Sequence, residues 1–240
     1  MRGVCIIFIF MNSQTKLLVG LAALVLFGAG LWFAGALPFG GTANPPSLDR
    51  PVTTPADFSP EARATFEQNV ATLKERIRIN PEASDGWLDL AIYYKTANDL
   101  DGAVDIWKYL AEGKQNVVAY YNLGNVHHLY LKDYGNSEKY YKEAIQLGPS
   151  TALNYIGLHE LYRYSYKQDS TAAADILNEG LTKVDQRGRV DLFSTLGGYY
   201  KEKGDKANAL DAYTKARDGA RAEGNTALVI QFEREIAALQ

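Results

Sequence analysis

Arg189–Arg217 reads RVDLFSTLGGYYKEKGDKANALDAYTKAR, and this stretch decides the fold. Phe193, Leu196, Gly197 and Tyr200 recur at helical spacing, so two apolar groups, an aromatic ring and a residue without a side chain share one stripe. Gly204-Asp205 breaks that helix. Ala209, Tyr213 and Ala216 then repeat the stripe on a second helix as small, aromatic, small. Two helices joined by so short a turn pack antiparallel. The spacing predicts Gly197 against Ala209 at the closest crossing, with Phe193, Tyr200 and Tyr213 filling the wedge on either side.

The unit returns upstream. Leu90-Ala91, Leu123-Gly124, Ile156-Gly157 and Leu196-Gly197 are separated by 33, 33 and 40 residues. In the first unit Trp87, Leu90, Ala91 and Tyr94 are followed by Ala103 and Trp107, and Ala91 to Ala103 is the same step as Gly197 to Ala209. In the second, Tyr120, Leu123 and Gly124 lead to Ser137, Tyr141, Ala144 and Pro149, with one extra residue near Tyr130–Tyr134 and His127 where Tyr94 stands in the first. The third, Thr151–Val184, diverges most: Leu153, Ile156 and Gly157 lead to Ala173, Leu177 and Gly180 across a longer connection.

An aromatic, Leu-Gly, Tyr, then Ala, aromatic, Ala and Pro at a period of about 34 residues resembles the tetratricopeptide repeat (TPR). The resemblance implies an all-α helical solenoid of about four helix-turn-helix repeats, near 84–116, 117–149, 150–189 and 190–223, in a domain spanning 60–240. Ser59-Pro60-Glu61 is a helix start. The helix that follows carries Phe66, Val70, Leu73 and Ile77 on one face, ends at Asn80-Pro81, and reads as the second half of an incomplete repeat. At the other end, 226–239 places Leu228, Phe232, Ile236 and Leu239 together, the capping helix that a stacked array needs over its last apolar face.

Leu17–Leu37 is 21 residues without a charge, enough for a helix to cross a bilayer once. Arg2 and Lys16 precede it and the next basic residue is Arg50, so the positive-inside bias makes 1–16 cytoplasmic and the repeats extracytoplasmic. A cleaved signal is the rival reading, because Ala34-Gly35-Ala36 fits a cleavage site after Ala36; both send the repeats to the same side. Met1–Phe10 is a short apolar run before Met11, and either methionine serves as a start. Residues 38–59, with Pro38, Pro45, Pro46, Pro51 and Pro55 among Gly, Ser, Thr and Asn, read as an extended stalk without a packed core, about 50 to 60 Å long.

The 25 basic and 28 acidic residues give a net charge of -3, with no concentrated basic run to neutralise phosphates, which excludes nucleic acid as the expected partner. The single cysteine, Cys5, lies outside the repeats and supplies no disulfide, nucleophile or thiolate zinc site there. His159-Glu160 begins H-E-x-x, but Arg163 stands where a second histidine is required. No phosphate-cradling or nucleophile-elbow motif occurs. No catalytic residue, metal or cofactor is therefore expected, and the chain reads as a non-enzyme.

The TPR resemblance implies a concave groove lined by the first helix of each repeat, able to take a protein or peptide partner. Its positions here are Leu88, Ile92, Tyr121, Asn122, Asn125, His128, Asn154 and Leu158, an apolar, aromatic and amide-bearing surface. The family's carboxylate clamp of lysine, arginine and asparagine is not matched, since only asparagine is in place. Tyr162, Tyr164 and Tyr166, at alternate positions in Leu161–Asp169, mark the segment that departs most from the period. The architecture resembles membrane-anchored TPR subunits of bacterial assembly systems, such as those assisting cytochrome c maturation or secretion. The expected function is a membrane-tethered scaffold, held through 17–37, that assists assembly or secretion of extracytoplasmic proteins; a sensor of peptides or cell-wall fragments is the alternative.

Overall fold

The computed structural model describes residues 44–168 and 170–240. The apolar stretch 17–37, and the orientation assigned to it, lie outside the described residues; among those described, no helix is long and apolar enough to cross a membrane. The described residues hold ten α-helices and no strand. They are α1 (Pro60–Ile79), α2 (Ser84–Thr96), α3 (Leu100–Lys114), α4 (Val117–Leu129), α5 (Tyr134–Leu147), α6 (Ala152–Tyr164), α7 (Ala172–Leu181), α8 (Gln186–Glu202), α9 (Lys206–Ala222) and α10 (Thr226–Ala237). Each helix packs on the next, and the first helices of successive pairs also meet, α4 on α6 and α6 on α8. This is the solenoid that the repeats require.

The turns are built alike. Asn98, Lys132 and Gly204 adopt positive φ, and the aspartate after each caps the next helix: Asp99 accepts from the Gly102 N–H, Asp133 from Asn136 and Asp205 from Asn208. One left-handed residue reverses the chain, and the carboxylate satisfies a backbone donor that the new helix leaves open. The third pair lacks this device and instead uses a longer connection around Lys167, also at positive φ.

Close crossings come from residues without side chains. A Cβ on Gly197 would lie 2.7 Å from the Tyr213 ring, so this ring, rather than Ala209, supplies the nearest atoms. In the second pair the Ser137 hydroxyl donates to the Gly124 carbonyl at 2.8 Å, joining α5 to α4 directly. Tyr141 fills the space beside it. Its ring would be 2.7 Å from a Cβ on Gly124 and 2.5 Å from one on Gly157, so one tyrosine of α5 seats both its own repeat and the next.

The third repeat is in a different register from the expected one. Leu153 is 50% exposed, whereas Tyr155 is fully buried and donates from its hydroxyl to the Pro149 carbonyl at 2.8 Å. In the first repeat Trp87 does the same, donating to Pro81 at 2.9 Å across the same six-residue step. Tyr155, Leu158, His159 and Tyr162 therefore correspond to Trp87, Leu90, Ala91 and Tyr94, and all eight are buried. His159 stands where the others have a small residue, and its Nδ1 bonds the Ala173 carbonyl at 2.7 Å.

The stalk is also shorter than its composition implies. Leu48, Val52 and Phe58 pack against the core beneath α1–α4, and Phe58 meets Phe66 edge to face at 5.7 Å. Arg50 holds Asp99 through two hydrogen bonds of 2.8 and 2.6 Å, while its carbonyl accepts from Lys74 at 2.7 Å and Tyr94 at 2.9 Å. A planar guanidinium on a carboxylate fixes orientation as well as position. Residues 46–58 are thus part of the domain.

Arg50→Ala is expected to destabilise the domain by about 1–2 kcal/mol, since a half-exposed ion pair contributes little but the docked segment loses its orientation with it; a melting temperature equal to that of the parent chain would show that the segment docks through its apolar side chains alone. Gly157→Ala forces the Tyr141 ring aside and is expected to cost about 1–3 kcal/mol by overpacking, read in the midpoint of denaturant unfolding.

Candidate functional site

The candidate groove is the face formed by the first helices α2, α4, α6 and α8, and the expected residues differ there in their exposure. Leu88 and Ile92 are accessible on α2, Ile92 being 40% exposed, and Tyr121, Asn122 and Asn125 are half-buried on α4. Asn154, Leu158 and His128 are buried. Leu158 is a core residue because of the register of the third repeat. Asn154 donates to the Ala144 and Gly148 carbonyls at 2.9 and 3.1 Å, closing the end of α5. His128 shares a 2.9 Å hydrogen bond with the Ser165 hydroxyl and meets Tyr134 edge to face, so it ties α4 to the connection after α6. These three are withdrawn from the groove.

The corrected register supplies the residues that sequence reasoning missed. Leu88 and Ile92 directly follow Trp87 and Ala91; Tyr121 and Asn125 follow Tyr120 and Gly124. In α6 the equivalents are Ile156 and Glu160, which follow Tyr155 and His159. Ile156 is half-buried and Glu160 is exposed. The signal was present: Pro149 lies six residues before Tyr155, as Pro81 lies before Trp87.

Glu160 is the electrostatic feature of this face. Although Glu160 reaches solvent, partial desolvation by its neighbours raises its carboxyl pKa, opposed by Arg163, and its charge in turn raises that of the Tyr121 hydroxyl after the larger effect of burial there. Arg163 is engaged elsewhere, pairing with Glu202 and stacking against Tyr164 and Tyr199. The Tyr121 ring rests edge-on against Tyr141 at 5.6 Å, and Asn125 lies at the Tyr141 hydroxyl. A carboxylate, a phenol and an amide thus meet where α4 and α6 adjoin. Lys201 on α8 is drawn away by a 2.7 Å pair with Glu235 of α10. Toward the amino-terminal end, Ile92 and Tyr93 with Asn69, Thr72, Leu73 and Asp89 line a depression of about 440 Å³ between α1 and α2.

The tyrosine-rich segment folds down onto α5. Glu138 of α5 accepts from the Tyr162 hydroxyl at 2.6 Å and from Lys167 at 2.8 Å, and Tyr166 lies 6.2 Å from Tyr134. Burial opposes the Glu138 charge, but hydrogen bonds from Lys142, Lys167 and Tyr162 outweigh it and hold its pKa at about 2. Of the three tyrosines only Tyr164 is exposed.

Residues 117–151, which are α4, α5 and the turn after them, match the family model of the tetratricopeptide repeat. The described residues form a TPR-like helical solenoid. The solved structure of MamA is similar over 68% of this chain and 94% of its own, at 18% identity and a TM-score of 0.51. That of a thermophilic TPR protein in Thermus thermophilus is similar over 74% and 93%, at 16% identity and a TM-score of 0.53. Likeness at this identity speaks to the fold alone. No curated protein matches the chain.

The buried histidines make the domain acid-sensitive in a defined window. Burial is the chief cause that lowers the pKa of each, with Lys108 adding at His127 and Lys132 at His128; His159 falls to about 4. The unfolded chain, with histidine near its ordinary 6.5, binds more protons than the folded one between about pH 4 and 6.5, so stability drops as pH falls through that range. Glu138 acts lower, its contribution being lost between about 4.5 and 2. The melting temperature is expected to decline from pH 6.5 to 4, and His159→Gln to make that decline shallower than in the parent chain.

Proposed function

We propose that this protein is a non-catalytic scaffold, tethered to the membrane by Leu17–Leu37, that holds a segment of a protein partner on the face of α2, α4, α6 and α8 and assists assembly or secretion of extracytoplasmic proteins. The observation that carries the binding part is the composition of that face: Leu88, Ile92 and Ile156 offer apolar contact, Asn122 and Asn125 pair with a peptide backbone in either sense, and Glu160 is a carboxylate with no hydrogen-bonded partner among the described residues. Such a surface selects a peptide with apolar side chains and one positive group. An acidic tail is disfavoured, since a like charge facing Glu160 costs affinity.

The tethering part rests on the length and apolar character of 17–37 and on the basic residues before it. Because 46–58 docks on the first repeat, at most the eight residues Pro38–Pro45 are left to act as a spacer. Fully extended, these reach about 26–29 Å, roughly half the stalk that composition alone implies.

Chemical cross-linking of the full-length chain in membranes, followed by capture, tests the reading. Glu160→Lys is expected to reduce the captured partner at least about tenfold, or ~1.4 kcal/mol, with the melting temperature unchanged, and Tyr121→Ala/Asn125→Ala to reduce it further at some cost in stability. Retention of the same partner by both variants would place binding on another surface.

A further inference from the structure

The first-helix face is more apolar than its central row. On α4, Val118 stands seven residues before Asn125 and Leu129 four after it; on α6, Leu153 and Tyr164 stand at the same steps from Glu160. Steps of seven and four return to one side of a helix, so these four share the face with Asn125 and Glu160. Val118, Leu129, Leu153 and Tyr164 are 52%, 47%, 50% and 54% exposed. With Ile92 they make up five of the ten exposed large hydrophobic side chains among the described residues, so exposed apolar surface is concentrated here. The matching positions are Asp85 and Thr96 on α2 and Asp191 and Glu202 on α8, all exposed. Two apolar rims, about 16 Å apart along the helices, are thus confined to α4 and α6.

The strip between the rims is polar. Tyr121 closes its floor where α4 meets α6, its ring 3.0 Å from the place of a Cβ on Gly157. The Asn122 and Asn125 side chains are half-buried there. Arg163 is turned to Glu202 and stacked on Tyr164 and Tyr199, which leaves Glu160 as the exposed charge between the rims. Beyond Leu129 the turn carries Lys132 and Asp133, opposite charges that give that rim no preference. A helical ligand pairs its own N–H and C=O groups and has none to offer the two amides. An extended segment keeps those groups free along both edges and sends successive side chains to opposite sides, which here are the two rims. From the α4 axis to the α6 axis is one step of about 8–10 Å, or about three extended residues.

We propose that the segment held on this face is an extended, unfolded stretch that crosses α4 and α6 between the rims, apolar toward both, with a lysine or arginine that reaches Glu160 from about three residues beyond the part over Asn125. This rests on the first-helix reading above and names the shape and chemistry of what that face holds. One backbone edge meets the Asn122 and Asn125 amides and the other meets water, so the polar groups of the ligand stay paired. A stretch apolar on both sides has the composition of a strand buried on both faces, which a folded protein conceals. The partner therefore presents it before folding, in keeping with a role in assembly or secretion.

The test pans random dodecapeptides displayed on phage against the full-length chain in nanodiscs, and measures the enriched peptides by fluorescence anisotropy. They are expected to carry apolar residues at successive positions with one lysine or arginine, and to lose at least about tenfold in affinity with Val118→Gln/Leu153→Gln and also with Leu129→Gln/Tyr164→Gln, at unchanged melting temperature. Glu160→Lys should weaken them as much, and a hydrocarbon staple that locks the peptide as a helix should abolish binding. Enriched peptides with apolar residues at helical spacing, bound more tightly when stapled, overturn the extended segment while leaving the first-helix face as the site; so do peptides that respond to one rim pair and not the other. Peptides that bind all three variants as they bind the parent, or no enrichment, overturn both the extended segment and the first-helix site. Concentration-dependent self-association of the parent chain that Leu129→Gln/Tyr164→Gln abolishes would show a second copy between the rims, and also overturns the proposal.

Discussion

The array depends on one ring being shared by two repeats. Tyr141 leaves α5 and fills the space that Gly124 and Gly157 vacate, so α4, α5 and α6 are fixed relative to one another by a single side chain. A rigid ring does this at low entropic cost, having two rotatable bonds to order while presenting a large area. Tyr121 braces it from the first-helix face and Asn125 lies at its hydroxyl, so the stacking of the repeats and the chemistry of that face converge on the same atoms. The central face is therefore preorganised.

The two ends are closed by different means. At the carboxyl end α10 lays Phe232 and Ile236, with Leu239 just after it, over Tyr213, Ala209 and Ala216, the apolar cap that a stacked array needs. At the amino end α1 covers α2, and the segment from Pro46 to Phe58 adds an outer layer held by Arg50 on Asp99. Asp99 is already the cap of α3, accepting from the Gly102 N–H. A carboxylate doing both ties the start of the domain to the turn that defines its first repeat.

The helices were legible in the sequence because their periodicity is local: small, aromatic and small residues recur at fixed steps, and Asp or Asn stands at most of the turns. The third repeat was not, because two stripes compete there. Leu153, Ile156 and Gly157 satisfy the pattern of small and apolar types, whereas the buried stripe is Tyr155, Leu158, His159 and Tyr162, with a histidine where a small residue is expected. His159 fits only because its Nδ1 finds the Ala173 carbonyl across the crossing, a condition that residue type does not announce. That shift of two residues put Asn154 and Leu158, which are buried, at the positions that Ile156 and Glu160 occupy on the first-helix face. The docking of 46–58 was hidden for another reason: Arg50 and Asp99 are 49 residues apart, and a proline-rich stretch has the same composition whether solvated or docked.

This division of positions is what lets such a scaffold be selective. Trp87, Tyr155 and their neighbours are committed to the core, and changing them unseats a repeat. The residue after each is held in place but not consumed by packing, so Ile92, Asn125 and Glu160 form a row whose chemistry can differ from repeat to repeat at little cost to the fold. In this chain the row runs from apolar through amide to acidic between α2 and α6, an asymmetry that, under the proposed reading, would give a bound segment a direction as well as a position. Under the proposed reading, a ligand with its apolar part toward α2 and its positive charge toward α6 would fit, and the reversed ligand would leave Glu160 without a counter-charge.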